Sequence, residues 1–248
     1  MNCFLTRLRS TRSLAAALLL LGAGLLQGCA APVPSDAECA SVVGWQDWPL
    51  PGKTATTYQT EQIDGRATVH ARADSAASML RRKVVLSPDE LGRLRYSWRV
   101  PALIPGADLT LRDTEDSPVR VVLAFDGDHN RLGFKDQSMF DLAEMVTGER
   151  PPYATLMYVW ENHAAPETVI LNPRTARIRK IVVESGPQRL NRWLSYERDI
   201  AADYRRAFGE EPGRLIGVAL MTDSDNTRSR TEAWYGPIEL VSAAGALR

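Results

Sequence analysis

The side chains best able to do chemistry lie near the C-terminus, in Asp223-Ser-Asp225-Asn226-Thr227 between two apolar runs, Leu215–Thr222 and Thr231–Val241. Two carboxylates and an amide at this spacing offer hard oxygen ligands suited to calcium. The EF-hand pattern is not met, because Arg228 stands at the sixth position and Trp234 at the twelfth. Asp223, Asp225 and Asn226 therefore have three readings: ligands of a structural calcium ion, direct contacts to a polar ligand, or turn builders bonding to their own backbone. The flanking runs read as the two strands of one hairpin, which would set the loop at a rigid sheet edge.

A second set is Trp98-Arg99 with Trp160-Glu161-Asn162-His163 and Glu184. Side chains alternate along a strand, so Trp98 and Arg99 point to opposite faces. An exposed tryptophan stacks on a sugar ring, and Arg99, Asn162 or Glu184 can bind hydroxyls. The competing reading places the tryptophans in the space between two sheets. Asn162 and His163 fall at a strand end, where sandwich folds carry binding residues. No catalytic set assembles. Ser185 lacks a Gly-x-Ser-x-Gly turn, and the acids Glu184, Asp223, Asp225 and Glu232 could face one another across a sugar, but among 30 acidic residues some such set is expected by chance. His70, His129 and His163 have no metal spacing. Phosphate-binding glycine loops and dinucleotide fingerprints are absent from the sequence, so no nucleotide is expected as a partner.

The elements that must position these residues are mostly strands. Thr54–Ile63 and Arg66–Arg72 flank Asp64-Gly65, a two-residue hairpin signal. Ala77–Leu86, Arg93–Val100, Val119–Phe125, Ala154–Trp160 and Arg177–Glu184 read as further strands. One helix is expected with Asp136 as N-cap, Met139, Leu142, Ala143 and Val146 on its inner face, and Gly148 after its end. Another carries Ile200, Tyr204, Ala207 and Phe208 on one face, with acids first and arginines last, and Gly209 beyond. About ten short strands with two helices indicate a single all-β sandwich over 43–248.

Ahead of it, Arg7, Arg9 and Arg12 precede an apolar run, Leu14–Leu26, that is too short to span a bilayer. Leu26-Gln27-Gly28-Cys29 looks like a lipobox, which makes 1–28 a lipoprotein signal peptide, Cys29 the lipidated residue and 29–42 a proline-bearing tether. Cleavage near Ala30 or Ala31 into a soluble periplasmic protein is the alternative. Ala30 after the cysteine points to an outer membrane lipoprotein facing the periplasm of the bacterial cell envelope. Losing the three arginines takes the charge from 30 − 30 to 27 − 30, or −3. A slightly acidic chain argues against nucleic acid as a partner. Of three cysteines, Cys3 leaves and Cys29 is acylated, so Cys39 has no intramolecular disulfide partner.

In order along the chain, Tyr96-Ser-Trp98-Arg99-Val100, Leu156-Met-Tyr-Val-Trp160-Glu-Asn162, Val183-Glu184-Ser185-Gly186, Asp203-Tyr204…Phe208-Gly209-Glu-Glu-Pro212 and Met221-Thr-Asp223-Ser-Asp225-Asn226-Thr227 resemble a bacterial family, domain of unknown function number three thousand and forty-seven. The resemblance spans about residues 43–241 and implies no activity. The fold it implies is similar to the jelly-roll sandwiches of carbohydrate-binding modules, in which such an acidic loop holds a structural calcium. The expected function is a lipid-anchored binding module for a glycan or another polar envelope ligand. The alternatives are a scaffold with a protein partner and an enzyme acting on polysaccharide.

Overall fold

The computed structural model describes residues 44–243 together with 245 and 246. The signal peptide, Cys29, the tether and Cys39 lie outside the described residues. Fourteen strands follow: β1 (Trp45–Pro49), β2 (Thr57–Ile63), β3 (Arg66–Asp74), β4 (Ala77–Leu86), β5 (Arg93–Arg99), β6 (Ser117–Phe125), β7 (Ala154–Glu161), β8 (Val169–Leu171), β9 (Ile178–Ser185), β10 (Leu194–Asp199), β11 (Leu215–Asp223), β12 (Arg230–Tyr235), β13 (Glu239–Ser242) and β14 (Gly245–Ala246). Helix α1 (Phe134–Thr147) lies between β6 and β7, and α2 (Ile200–Phe208) between β10 and β11.

The strands form a β-sandwich of jelly-roll type. The first sheet runs β1-β4-β11-β6-β7-β9-β8 and the second β14-β13-β5-β12-β3-β2, with β10 also paired to β5. Alternation decides what each strand buries. Leu80, Val121, Leu123, Leu156, Tyr158 and Leu220 of the first sheet meet Val69, Leu94, Tyr96, Trp98, Ala233 and Tyr235 of the second in one core. β6, β7 and β11 are buried on both faces, as their continuous apolar runs require for central strands.

The β2–β3 hairpin is set by its turn. Asp64 and Gly65 both have positive φ, 53° and 72°, the geometry a two-residue hairpin needs to match strand twist. The β11–β12 hairpin expected from sequence does not exist. β11 pairs with β4 and β6 in the first sheet, whereas β12 pairs with β3 and β5 in the second. The acidic loop is thus an arch between sheets. A strand with two apolar faces belongs mid-sheet, and β12, half-exposed, belongs over the other face of the core.

The helices differ in how local their signals are. α2 is capped as expected: Asp199 accepts from the Ala202 N–H at 2.9 Å and Gly209 closes the end with φ 70°. α1 starts at Phe134 after Gly133, a turn earlier than Asp136 would place it. The Asp136 carboxylate instead accepts from the Thr175 hydroxyl at 2.8 Å. Its inner face also differs from expectation. Phe140 fills the core contact, and Leu142 and Val146 stay 59% and 63% exposed. A single bulky ring, one position round the helix from Met139, takes the interface.

Candidate ligand-binding face

The arch places Asp223 where the sheets separate. Its carboxylate is 3% exposed and accepts from Arg120 through both oxygens, Nε–Oδ1 2.9 Å and Nη2–Oδ2 2.8 Å, and from the Ser117 N–H at 3.1 Å. Burial pushes this carboxyl up to about 6 against the lowering pull of Arg120. Asp116 joins the cluster, and one oxygen from each of Asp116, Asp223 and Asp225 lies within 4.8 Å of the others. Protein donors occupy these oxygens: Asp116 accepts from the Asn226 and Thr227 N–H groups and the Thr227 hydroxyl, and Asp225 pairs with Lys53. The Asn226 side-chain amide donates to the Glu115 carbonyl at 3.2 Å. Nearby, Lys180 is fully buried, bonds Glu115 at 2.7 Å and the Leu109 carbonyl at 3.0 Å, and is lowered by burial to about 8.

The second expected set is divided by the fold. Trp160 is 1% exposed in the core and donates its indole N–H to the Gly186 carbonyl. Glu184 is buried and accepts from Tyr196 at 2.9 Å and Arg189 at 2.8 Å. Asn162 clamps the long loop before β6 by donating to the Ile104 and Ala107 carbonyls. His163 is exposed beyond β7, its N–H bonded to Glu161. These four share one end of β7 and β9, while Arg99 stands on the outer face of the second sheet.

That outer face assembles a different group. In β12, Ala233 and Tyr235 turn to the core, which sends Glu232 and Trp234 outward. Trp234 stands between His70 of β3 and Arg99 of β5, and His70 stands opposite Gln59 of β2. One cross-strand row therefore reads Gln59, His70, Trp234, Arg99. His70 stacks on Trp234 with centroids 4.5 Å apart, and the Arg99 guanidinium lies 5.5 Å from the indole on the same row. His70 is 8% exposed; its Nε2 is 2.9 Å from Glu232 and its Nδ1 3.5 Å from Glu61. Trp234 donates its indole N–H to Glu61. Arg99 has no carboxylate partner among the described residues, and its Nε is buried without an acceptor.

A hollow of about 740 Å³ opens beside this row, between the starts of β2 and β12, the end of β3 and residues 101–103. Arg72, Arg230, Asp74, Glu232, Thr57 and Thr231 supply polar lining, and Leu103 and Pro101 an apolar side. Arg230 is tied to Asp74 at 2.8 Å, and Arg72 to Gln59. Such a lining can donate to and accept from the same ligand. Sequence reasoning named Arg99 and Glu232 but not His70, Trp234, Glu61 or Arg72 as one group. The usable signal was the period of two in Arg66–Arg72 and Thr231–Tyr235, which sets His70 and Trp234 on outward positions. Their adjacency needs the strand order.

Residues 43–239 match the model of a family described as Protein of unknown function (DUF3047). No curated protein matches the chain. Among solved structures it is similar to the xyloglucanase domain of NopAA, a type three effector from Sinorhizobium fredii in complex with cellobiose. That match has 10% identity over 80% of this chain and 92% of the other, at a TM-score of 0.42. It is also similar to Trichoderma harzianum Endoglucanase 3 from family GH12, with 9% identity over 79% and 88% of the two chains and a TM-score of 0.41.

Proposed function

The chain belongs to the DUF3047 family, and we propose that it is a lipid-anchored protein of the bacterial cell envelope that binds a glycan on the outer face of its second sheet. The observation that carries this reading is the His70–Trp234 stack set between Glu61 and Glu232 at the rim of the 740 Å³ hollow. Sugar hydroxyls donate and accept at once, and the hollow supplies acceptors in Glu232 and Asp74 and donors in Arg72, Arg230 and two threonines. Leu103 and Pro101 suit the C–H faces of a sugar ring. The volume falls within the range of small-molecule sites. Anchoring rests on the lipobox-like sequence ending at Cys29, with the domain facing the periplasm from the outer membrane.

An enzymatic reading has one observation in its favour: two carboxylates, Glu61 and Glu232, address the same ring. Glycoside hydrolysis needs the sugar, with or without a water, between its two acids. His70 occupies that space, which favours binding over turnover.

The test is thermal unfolding with a panel of envelope oligosaccharides, peptidoglycan disaccharides and lipopolysaccharide core among them. A ligand that binds only the folded chain raises the midpoint, by about 2.7 kcal/mol of stability at a hundredfold excess over Kd. Glu232→Ala and Arg72→Ala are expected to abolish the shift. The reading fails if no oligosaccharide shifts the midpoint, or if both variants respond as the parent does.

A further inference from the structure

We infer that α1 is a membrane-contact element whose outward face lies in the surface of the bilayer that carries Cys29. The inference rests on the lipid anchoring proposed above, and it adds a second, non-covalent attachment through the folded domain.

α1 has apolar side chains on both sides. Its inner side is held by buried Phe140, by the Asp136–Thr175 bond and by Gln137, whose amide reaches the His129 carbonyl. Its outer side presents Phe134, Met145, Val146 and Leu142, which are 86%, 82%, 63% and 59% exposed. At 100° per residue these four fall within about a third of the helix circumference. They make up most of the large apolar side chains left exposed among the described residues. Concentration of exposed apolar area on one face marks a contact surface.

The occupant follows from where the chain enters the domain. β1 is the first strand after the tether, and its Trp48 lies 3.4 Å beneath the Arg81 guanidinium. The same guanidinium bonds Glu149, two residues past the end of α1, at 2.7 and 3.3 Å. One arginine thus joins the start of the domain to the C-terminal end of α1. Fully extended, residues 29–43 reach about 50 Å, so an acylated Cys29 keeps this side of the domain within that distance of its bilayer. Val85, 72% exposed, lies on the outer face of the first sheet near the end of β4, and the neighbouring Leu86 pairs with Leu215, which pairs with Phe125 at the end of β6. This is the sheet end from which the connection carrying α1 departs.

Charge does not oppose the contact. Asp141 and Glu144 are both met by Arg150, at 3.1 and 3.5 Å, and the exposed Lys135 of the same helix balances the remaining negative charge. At 14 residues α1 is too short to span the hydrocarbon core, so its apolar outer side would lie along the interface without crossing it.

The experiment uses the mature chain with Cys29→Ser, so that no acyl chain contributes, and sedimentation with vesicles of phosphatidylcholine and of phosphatidylglycerol. Binding to both is expected. Phe134→Ser with Met145→Ser should reduce it by on the order of tenfold or more, with unfolding midpoint and circular dichroism preserved because both positions are exposed. Phe134→Trp in the parent should keep binding and shift its fluorescence to the blue on vesicles. The inference is overturned if the Cys29→Ser chain stays in the supernatant, or if the double variant binds as well as its parent. It is equally overturned if the parent forms a dimer that the double variant loses, since a second copy would then cover the helix. Palmitate labelling of the full chain reports on Cys29 alone, and so separates failure of the anchor from failure of the helix.

Discussion

Trp234 lies flat against His70 across the β12–β3 pair, with ring planes 16° apart and centroids 4.5 Å apart on an outward sheet face. The stack leaves the imidazole edge-on to two carboxylates, one beyond each nitrogen. Glu61 is tied to both rings, since it also accepts from the indole N–H. Two aromatic rings therefore hold two acids at a fixed separation, without help from the core.

Loss of the stack should be visible as stability and loss of an acid as affinity. His70→Ala removes a cross-strand aromatic pair and leaves Glu61 and Glu232 without the ring between them. A decrease of about 1–2 kcal/mol is expected in urea unfolding at an unchanged slope. Glu232→Gln keeps the stack and sits at a half-exposed position, so its effect on stability should stay within about 0.5 kcal/mol. Its effect on oligosaccharide binding, read by calorimetry, should exceed tenfold. An inverted result, with a stable His70→Ala and an unaffected ligand in Glu232→Gln, would remove the row from the site.

Asp223→Ala should be among the most damaging single substitutions in the second half of the chain. It leaves the Arg120 guanidinium, itself 2% exposed, without its bidentate partner. Breaking a buried pair from one side costs about 3–5 kcal/mol. Asp225→Ala touches only Lys53, which is substantially exposed, and should cost less than about 1 kcal/mol. Denaturant midpoints of the two variants measure the contrast directly.

Calcium is expected to leave the unfolding midpoint where EDTA leaves it. A cation at Asp116, Asp223 and Asp225 would have to displace Arg120 from Asp223, Lys53 from Asp225 and N–H donors from Asp116. A rise with calcium that Asp225→Ala abolishes would show that the ion wins this competition, and would make the loop a metal centre.

What could be read from the sequence divides along a physical line. Asp64-Gly65 and the Asp199 cap announce themselves because the interactions that define them lie within a few residues. The two-sheet class was legible from strand spacing. The separation of β11 from β12 was not, because a short polar loop between two apolar runs suits an arch as well as a hairpin, and the choice depends on which partners β4 and β3 offer. The inner face of α1 was misplaced for a related reason: its weak apolar asymmetry leaves the choice to tertiary packing of Phe140. Alternation set Trp98 and Arg99 on opposite faces, and only the packing of Trp98 into the core decides that Arg99 faces outward. His70 and Trp234 are 164 residues apart, and only the strand order makes them neighbours.

Acid should weaken the fold through Glu167 in a definable window. Its carboxylate is bonded by Arg198 at 2.7 and 3.1 Å and by Arg206, and the Arg198 bonds above all, outweighing burial, lower it to about 2. An unfolded chain returns it to about 4.3. Between these values the unfolded state binds the additional proton, so stability present above about pH 4.5 is lost as pH falls toward 2. The side chain is 49% exposed, which makes the contribution modest and sensitive to salt. Glu167→Gln, with no proton to bind, should show a shallower fall between pH 5 and 2 in urea unfolding, and the gap between the two profiles should narrow in molar salt. Parallel profiles at low salt would mean that Arg198 is satisfied by Asp203 alone, which it also bonds at 2.8 Å, and that Glu167 contributes position without energy.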